Sequence, residues 1–442
     1  MYTYFWLFEK GFVVFSLIFF TNAITVLLNG GVAPSGSEND PISKVCLYGI
    51  QLVTLFLIVT WHKRIIRTAL KEKFLWILVA IIIASVFWSD MPRATLGSSQ
   101  NLVRITLFGV YFGTRYSLKE QLRLLAWALG IGALLSLVFV VALPSYGVMG
   151  KGSISTPEIM SHSGAWQGVY GHKNVLGRIM VLSSLVFLLF TISSRRYRWL
   201  AGASLCLSVA LIVGSTSKSS LIILLTIVAL LPFYKALRWN YTIALPFFIM
   251  VILVGGSVAT LLVSNAEAIL GLFGRNLTLT GRTPLWGAVL DKIWERPWLG
   301  YGYGAFWQGL EGESADVWRR VGWEPPHSHN GFLDIGLDIG LLGFSAFALS
   351  FLAVCLQAVS WIRRSKNADG LWTLAYLTFL LLANLTESSF FRQNSLWLLY
   401  VALTFSMHQR SDNVAQSKAC SLHPGKEEQR KSLTQALPGG RT

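Results

Sequence analysis

Residues 326–359 read PHSHNGFLDIGLDIGLLGFSAFALSFLAVCLQAV, a polar cluster that runs directly into a long apolar stretch. Asp334 and Asp338 are the only charged residues in the apolar part. A helix needs roughly 20 apolar residues to cross a hydrocarbon core of ~30 Å, and this run exceeds that length. The stretch therefore predicts a membrane-spanning helix with a polar, histidine-containing segment at one end.

The rest of the chain has the same apolar character. Its 442 residues are 53% hydrophobic and only 13% charged, whereas soluble domains carry about 25% charged residues. The length criterion predicts about twelve spans, and no signal-peptide cleavage site follows the first of them. They lie near residues 10–28, 45–61, 74–89, 101–114, 122–143, 175–192, 199–214, 219–234, 241–263, 331–359, 371–385 and 394–408. We therefore expect an all-α polytopic membrane protein whose transmembrane domain covers residues 1–408.

The basic residues indicate how these spans are oriented. They cluster in links between alternate spans, at residues 62–73, 115–123, 194–198, 235–238 and 361–366. Loops rich in Lys and Arg stay in the cytoplasm, so both termini are expected there, and residues 409–442 are expected to form a disordered basic cytoplasmic tail. The basic residues behind the net charge of +16 are therefore interpreted as topology signals that contact anionic lipid. This interpretation excludes a nucleic-acid partner.

The same orientation places a large loop, residues 264–330, outside the membrane. It contains TLTGRTPLW at 278–286 and WLGYGYGAFW at 298–307. Thr283 as N-cap and Pro284 as first helical residue predict a helix start, and Leu285, Val289 and Ile293 recur on one face of that helix. Arg282 is then expected beside free N–H groups and a positive dipole, a combination that suits phosphate. Alternatively, Arg282 only caps the loop or meets lipid headgroups.

The HSHN run closes this loop where the 331–359 span begins. An imidazole has an ordinary pKa of about 6.5, so a neutral His329 could take a proton from a sugar hydroxyl. Asn330, Asp334 and Asp338 recur at i, i+4 and i+8, and ionisable residues inside a span usually line a site. The plainer alternatives are a histidine that caps the helix and a metal pair. No metal is expected, because His-x-His supplies two ligands without an adjacent third and the four cysteines are scattered.

Two further segments predicted outside the membrane carry basic residues. GVYGHKNVLGRIM at 168–180 places His172, Lys173 and Asn174 at the membrane face and Arg178 one turn deeper. Asn174 and Arg178 are i, i+4 neighbours, so both could face one cavity, whereas Lys173 could instead extend to lipid headgroups. STSKSS at 215–220 presents Lys218 in a turn between two spans, where a lone lysine is more often an anchor than a ligand.

Aromatic and acidic residues complete the candidate set. The large loop holds six tryptophans, Trp286 among them, which either form an interfacial belt or offer flat faces to sugar rings. Glu387 and Arg392 lie in the turn before the last span. They are interpreted either as a structural ion pair or as groups that orient the site.

Three motifs taken together resemble the O-antigen ligase and polymerase superfamily, most closely its ExoQ-like exopolysaccharide polymerases. They are GHKNVLGR, TGRTPLW followed by PWLGYGYGAFW, and HSHNGFLDIGLDIGLLG, in the family's order and at its spacing, and the resemblance covers residues 88–394. It implies a multi-pass glycosyltransferase of the GT-C kind in the bacterial inner membrane. Such enzymes use a glycan carried on undecaprenyl pyrophosphate as donor, without nucleotide sugar, metal or other cofactor.

The resemblance also implies roles for individual residues. Arg282 matches the family's loop arginine, which is expected to hold the pyrophosphate. His329, the histidine before Asn, matches the proposed catalytic base or acceptor-positioning residue. Lys218 stands where ligases commonly have arginine, and lysine offers a point charge rather than a bidentate fork. The residues expected to bind or orient substrate with them are His172, Lys173, Asn174, Arg178, Lys218, Trp286, Asn330, Asp334 and Glu387.

The predicted function is therefore an exopolysaccharide polymerase that joins lipid-linked repeat units at the outer face of the cytoplasmic membrane. Its expected partners are the undecaprenyl-pyrophosphate-linked glycan, membrane lipid, a chain-length regulator and a flippase. One alternative is an O-antigen ligase that transfers a glycan to lipid A core. Another is a transporter of polysaccharide or lipid-linked sugar, because intramembrane charged residues also suit transport. The large loop argues against transport, since it places Arg, His and Trp outside the bilayer.

Overall fold

The structure, a computed structural model, describes residues 2–24, 41–151, 162–240, 242–243, 282–364, 368–391 and 394–422. In these ranges the chain is built from helices and contains no β-strand. One isolated antiparallel bridge joins Val148 to Trp166. The all-α class predicted from the sequence is confirmed.

The helices longer than one turn are numbered in chain order. They are α1 (Tyr2–Phe20), α2 (Pro41–Thr60), α3 (His62–Ala69), α4 (Lys73–Ala84), α5 (Pro92–Arg115), α6 (Leu118–Ala142), α7 (Lys173–Ser193), α8 (Arg198–Gly214), α9 (Lys218–Ala236), α10 (Arg282–Glu295), α11 (Ser314–Val321), α12 (Gly331–Arg364), α13 (Ala368–Thr386) and α14 (Asn394–Leu422). Single turns of helix lie at Ser85–Phe87, Pro144–Gly147, Gly168–Tyr170 and Gly309–Glu311.

Five of the described helices, α2, α6, α7, α9 and α12, are long and apolar enough to cross a membrane. Three shorter apolar stretches, Lys73–Phe87, Arg198–Gly214 and Gly370–Thr386, accompany them. The chain is therefore a multi-pass membrane protein, although the full number of about twelve spans is not confirmed. The predicted spans at 10–28, 101–114 and 394–408 overlap α1, α5 and α14. The predicted span at 241–263 lies outside the described residues, apart from 242–243.

Local sequence signals explain where several helices begin and end. Ser117 and Glu120 form a capping box at the start of α6, in which Ser117 N donates to Glu120 Oε2 at 3.0 Å. This pairing satisfies backbone groups that the first turn leaves open. Pro144 follows the end of α6, and the residue before a proline is disfavoured in helical geometry. The boundaries of the spans are thus set by caps and prolines as well as by hydropathy.

The helical core is centred where α5 packs on α14, and α7 packs on α8 and α13 nearby. Gly113 allows the closest approach of α5 to α14, because a Cβ there would lie 2.4 Å from the carbonyl oxygen of Ala402. Trp397 is fully buried in this contact and donates from Nε1 to Thr106 Oγ1 at 2.8 Å. Membrane helices have no hydrophobic driving force between them, so they associate through close backbone packing and through hydrogen bonds between buried polar groups. The contact between α5 and α14 shows both features.

Helix α12 is broken at Gly340, where φ is 60° and ψ is −166°. The segment 297–302 runs alongside the break and completes its hydrogen bonding. Four backbone bonds join them: Leu341 N to Pro297 O (2.7 Å), Leu342 N to Trp298 O (3.1 Å), Tyr301 N to Leu337 O (2.7 Å) and Gly302 N to Asp338 O (3.0 Å). Unpaired backbone groups are costly at membrane depth, so the segment stabilises the broken helix.

The described part of the large loop is itself folded. Helix α10 buries Leu285 and Val289 on the face predicted from the sequence. It begins at Arg282 rather than after Thr283, so Thr283 lies inside the helix instead of acting as its N-cap. The apolar face of α10 belongs to a small core that contains Leu285, Ala288, Val289, Tyr301, Phe306, Val317 and Leu337. Because Leu337 is part of α12, this core fastens the loop to the first half of that helix.

The last helix is longer than the sequence predicts. A disordered tail is expected from residue 409, but α14 continues to Leu422. The extra residues include Gln409, Ala415 and Lys418, and all three residue types are good helix formers. Polar composition alone therefore does not end this helix, and residues 423–442 lie outside the described part of the chain.

Candidate active site

Glu387 is the residue at which several distant segments meet. It directly follows α13. Its carboxylate is hydrogen-bonded by side chains from the start of α7, from the start of α10 and from the turn before α12. Its side chain is only 11% exposed, whereas those of His327 and His329 are 21% and 20% exposed. Glu387 is thus the buried centre of the cluster, and the imidazoles lie nearer its surface.

The two carboxylate oxygens of Glu387 have different partners. Oε1 accepts hydrogen bonds from Asn174 Nδ2 at 3.1 Å and from Arg282 Nη2 at 3.4 Å. Oε2 lies 3.2 Å from His329 Nδ1 and 3.8 Å from His327 Nε2. Because an ionised carboxylate only accepts hydrogen bonds, Nδ1 of His329 must be the donor. The neutral ring of His329 then keeps Nε2 as its proton acceptor.

The surroundings of Glu387 stabilise its negative charge. Burial alone would raise its pKa. The hydrogen bond from His329 and the electrostatic interactions with His329, His327 and Arg178 outweigh burial, and they hold the pKa of Glu387 well below the usual range of a glutamate. The carboxylate is therefore ionised at neutral pH and accepts hydrogen bonds from Asn174, Arg282 and His329.

The turn that carries His329 has an uncommon backbone conformation. His329 (φ 53°) and Thr216 (φ 51°) are two of the three non-glycine residues with positive φ in the described ranges. Such conformations cost on the order of 1–3 kcal/mol and tend to occur at functional sites. Local bonds stabilise the turn, since His329 N donates to His327 Nδ1 at 3.1 Å and Ser328 Oγ donates to Asn330 O at 2.7 Å. The strained turn directs the imidazole of His329 towards Glu387.

The start of α7 links this cluster to the turn before α9. His172 is the N-cap of α7, and its Nδ1 accepts the backbone N–H of Asn174 at 3.2 Å. While Asn174 Nδ2 donates to Glu387, its Oδ1 accepts from Ser217 Oγ at 3.2 Å. Asn174 therefore bridges Ser217 and Glu387, which lie 43 and 213 residues from it in the sequence.

Three more predicted basic residues lie on these two helices. Lys173 and Lys218 are the first residues of α7 and α9, next to Asn174 and Ser217 respectively. Arg178 lies further along α7, where its side chain is half-buried and its Nε has no hydrogen-bond partner among the described residues. An unpaired buried donor is costly, and the charge of Arg178 contributes to the lowered pKa of Glu387. Asn174 and Arg178 therefore both act on Glu387, in agreement with their i, i+4 spacing.

Arg282 connects the large loop to the turn after α13. Its Nη1 donates to the carbonyl oxygen of Thr386 at 2.7 Å, and its Nη2 reaches Glu387 Oε1 at 3.4 Å. The side chain remains 25% exposed. As the first residue of α10, Arg282 adds its charge to the free N–H groups of a helix start. This is the position beside a helix N-terminus that the sequence predicts.

Asn330, Asp334 and Trp286 hold the histidine turn in place. Asn330 caps α12, since its Oδ1 accepts two N–H groups of the first turn, the shorter bond at 3.0 Å. Asp334 Oδ1 accepts from Trp307 Nε1 at 3.0 Å and from Ser328 N at 3.2 Å. Trp286 Nε1 donates to Ser328 O at 3.0 Å. These contacts make all three positioning residues for the turn, and their contact with a substrate stays a prediction.

His327, His329 and Glu387 also offer one potential metal ligand each, with donor atoms within 4.8 Å of one another. The prediction that no third ligand adjoins the His-x-His pair is therefore wrong, because the fold brings Glu387 from 58 residues beyond His329. Two features oppose a cation at this point. Nδ1 of His327 accepts a hydrogen bond, which places the proton of the neutral ring on Nε2. Arg282 and Arg178 already direct positive charge at the same carboxylate, so the cluster is better suited to an anion.

Sequence reasoning missed the residue that fixes the turn around Glu387. Asn384 is fully buried near the end of α13, and its Oδ1 accepts the N–H groups of Ser389 and Phe390, both at 2.8 Å. An amide inside an apolar helix is the signal that could have identified it, because a polar group at that depth needs a partner. The role of Ser217 was missed as well, although it precedes Lys218 in the serine-rich STSKSS turn.

Comparison with known proteins agrees with the motifs. Residues 202–348 match the O-Antigen ligase family. This region includes Lys218, Arg282 and His329, whereas Asn174 and Glu387 lie outside it. Over 285 residues the chain is 25% identical to "Exopolysaccharide production protein ExoQ" of Rhizobium meliloti (strain 1021), a match that covers 61% of this chain and 62% of that relative. The match thus spans less than two thirds of the relative's length. The resemblance to the O-antigen ligase and polymerase superfamily, on its ExoQ-like side, is confirmed.

Proposed function

We propose that the chain is an exopolysaccharide polymerase of the bacterial inner membrane. It transfers a glycan from undecaprenyl pyrophosphate to the growing polymer at the outer face of that membrane, and both of its termini lie in the cytoplasm. The carboxylate shared by His329 and Arg282 carries the proposal, because it holds a base and an anion-binding group in one cluster. The match to the O-Antigen ligase family and the similarity to the ExoQ protein support the same reaction class.

His329 serves as the base in the proposed reaction. Its Nε2 takes the proton of an acceptor hydroxyl, and the hydroxyl oxygen attacks the anomeric carbon of the donor glycan. The bond between that carbon and the pyrophosphate oxygen breaks, and undecaprenyl pyrophosphate leaves with the electron pair. Glu387 accepts from Nδ1 and stabilises the imidazolium that forms. The proton is afterwards lost to water, which returns His329 to its starting state.

Arg282 stabilises the leaving group. A pyrophosphate gains negative charge as the glycosidic bond breaks, and a preorganised cation near that charge lowers the barrier. The guanidinium stands at the start of α10 with a quarter of its side chain exposed, so phosphate oxygens can reach it. Arg178, Lys173 and Lys218 add positive charge from α7 and α9. Charge neutralisation by these side chains makes a resident metal unnecessary for the step.

The nearest alternative is a ligase that moves a finished glycan to lipid A core, and the name of the matching family favours it as the second candidate. The two reactions share the donor and the leaving group and differ only in the acceptor. Their products separate them, since a polymerase yields lipid-linked glycans of increasing length and a ligase yields glycan-capped lipopolysaccharide. In the cell, the polymerase would work with a flippase that delivers repeat units and a regulator of chain length.

The test is turnover by the purified full-length protein in proteoliposomes supplied with lipid-linked repeat units. We expect release of undecaprenyl pyrophosphate and formation of longer glycans. His329→Ala and Arg282→Ala should each lower the initial rate by about 10²- to 10³-fold, the usual contribution of a general base or an electrostatic stabiliser. Arg282→Lys keeps the charge but loses the planar fork, so it should recover part of the rate.

Arg319→Ala is the matched control for these variants. Arg319 lies on the same loop, and its side chain is 73% exposed, so its loss should leave the rate within about twofold of wild type. Transport of the intact lipid-linked glycan without its cleavage would contradict the proposed reaction. So would an Arg282→Ala protein with the wild-type rate and product length.

A further inference from the structure

Trp323 lies beside the imidazole of His329 with much of its indole open. The two ring centroids are 6.0 Å apart, and the ring planes are inclined by 33°. The residue is 39% exposed. The imidazole of His329 therefore has an aromatic neighbour in Trp323, in addition to the Glu387 carboxylate at Nδ1.

The indole N–H of Trp323 differs from those of neighbouring tryptophans. Trp286, Trp307 and Trp318 donate their Nε1–H groups to Ser328 O, Asp334 Oδ1 and Pro325 O, at 3.0 Å in each case. For Trp323, no such bond occurs within the part of the chain that the structure describes. The first three indoles are thus structural donors, whereas Trp323 keeps both an N–H and a ring face for a bound molecule.

The segment that carries Trp323 is held rigidly. Gly322 ends α11 in the left-handed conformation, with φ 77°, and its N–H donates to Trp318 O at 2.9 Å. The indole of Trp318 bonds to the carbonyl of Pro325 on the far side of Trp323. Trp323 is therefore fixed at both ends, as a preorganised contact surface requires.

We propose that Trp323 is an acceptor-sugar subsite. A pyranose ring of the acceptor glycan lies with its C–H face on the indole, at the usual carbon contact distance of about 3.5–4.0 Å. The indole N–H is then available to one sugar hydroxyl, and another hydroxyl is directed to Nε2 of His329. The ligand class is a neutral or acidic saccharide, since an indole recognises the apolar face of a sugar ring. This subsite rests on the proposed function, because it places the acceptor at the base.

The surroundings of Trp323 favour a sugar over lipid. The residue follows α11, in which Arg319 and Arg320 are 73% and 60% exposed, and precedes the exposed Glu324. Indoles in an interfacial belt lie with their apolar parts towards acyl chains. Trp294 and Trp298 fit that description better, because they are 74% and 68% exposed, and they lie near and beyond the end of α10 that is remote from Arg282.

The test compares wild type with Trp323→Ala, Trp323→Phe and the control Trp294→Ala, each as the full-length protein in lipid nanodiscs. The binding probe is a set of short oligosaccharides released from the host's own exopolysaccharide by partial hydrolysis, titrated by calorimetry without any lipid-linked donor. We expect Trp323→Ala to raise the dissociation constant about tenfold, the size expected for one aromatic contact. Trp323→Phe should stay within about threefold, and Trp294→Ala should match wild type.

Turnover in proteoliposomes provides the second measurement. With the same oligosaccharides as acceptors, Trp323→Ala should raise the KM for the acceptor about tenfold and leave kcat within about twofold. Equal oligosaccharide affinity in wild type and Trp323→Ala, or a fall in kcat at unchanged KM, would overturn the subsite and leave Trp323 as a support for His329. Failure of the proposed function looks different, since wild type would then release no undecaprenyl pyrophosphate while oligosaccharide binding could still be measured.

Discussion

Nδ1 of His329 lies 3.2 Å from Oε2 of Glu387, although 58 residues and the helices α12 and α13 separate the two positions. The contact closes a chain of interactions from the large loop, through the histidine turn, to the turn after α13. Because Arg282 reaches the other oxygen of the same carboxylate, any change at Glu387 affects the proposed base and the proposed anion ligand together.

Glu387→Gln should therefore impair catalysis more than a surface substitution of the same kind. The amide cannot hold His329 in the required tautomer or stabilise an imidazolium, and we expect kcat to fall by about 10²- to 10⁴-fold. The rate of undecaprenyl pyrophosphate release measures this loss. Glu324→Gln removes an exposed carboxylate from the same loop and should leave kcat nearly unchanged. Equal rates for the two variants would show that Glu387 does not orient the base.

The lowered pKa of Glu387 also predicts how stability depends on pH. A carboxyl whose pKa is lower in the folded state than in the unfolded state, where it is about 4.3, stabilises the fold above the unfolded value. That contribution is lost as the pH falls through the folded value. The difference in Tm between wild type and Glu387→Gln should therefore be fully present at pH 6 and should shrink only below about pH 4. Unfolding in detergent, followed by tryptophan fluorescence, measures it, and a difference that grows on acidification would show the opposite sign.

Activity should survive removal of divalent cations. His327, His329 and Glu387 are close enough to one another to bind a divalent cation. Arg282 and the N–H at Nε2 of His327 would compete with such a cation for the Glu387 carboxylate. We expect dialysis against EDTA to leave the initial rate within about twofold. Metal content by mass spectrometry and the rate before and after dialysis provide the measurement. Loss of activity that zinc or manganese restores would assign the cluster to a metal instead.

Gly340→Ala should destabilise the protein by separating the loop from α12. A Cβ at Gly340 would lie 2.4 Å from the carbonyl carbon of Trp298, and the backbone there has φ 60°. We expect a loss of folded protein or a Tm lower by several degrees, as for other substitutions that strain a special backbone conformation. Gly287→Ala is the matched control, because Gly287 lies inside α10 with nothing within 4 Å of the added methyl. That change should be neutral or stabilising, by up to about 1 kcal/mol.

Hydropathy, helix caps and short periodicities predict much of this architecture. They identify the apolar helices, the buried face of α10 and the placement of Arg282 at its start. They also place Asn174 and Arg178 on one face of α7, and both act on Glu387. These features depend on residues within a few turns of one another, so the sequence contains them directly.

The rest depends on contacts between distant segments. The partners of Glu387 come from three other segments, and no local pattern indicates that they converge. Asp334 Oδ1 accepts from Trp307 and Ser328, partners that no local pattern indicates, and its contact with a substrate stays a prediction. The break at Gly340 is likewise hidden, because a glycine in an apolar run predicts a weaker helix without indicating which segment will supply the missing hydrogen bonds.

The break at Gly340 has a consequence for the order of biogenesis. The segment 297–302 forms backbone hydrogen bonds with α12, which is synthesised after it. Without that segment, α12 would enter the membrane with unpaired backbone groups at its break. In the proposed orientation, the large loop therefore crosses the membrane first and stays incompletely folded until α12 has been synthesised. A nascent chain that stops before residue 331 should remain sensitive to protease in the loop, and protection should appear once translation has passed α12.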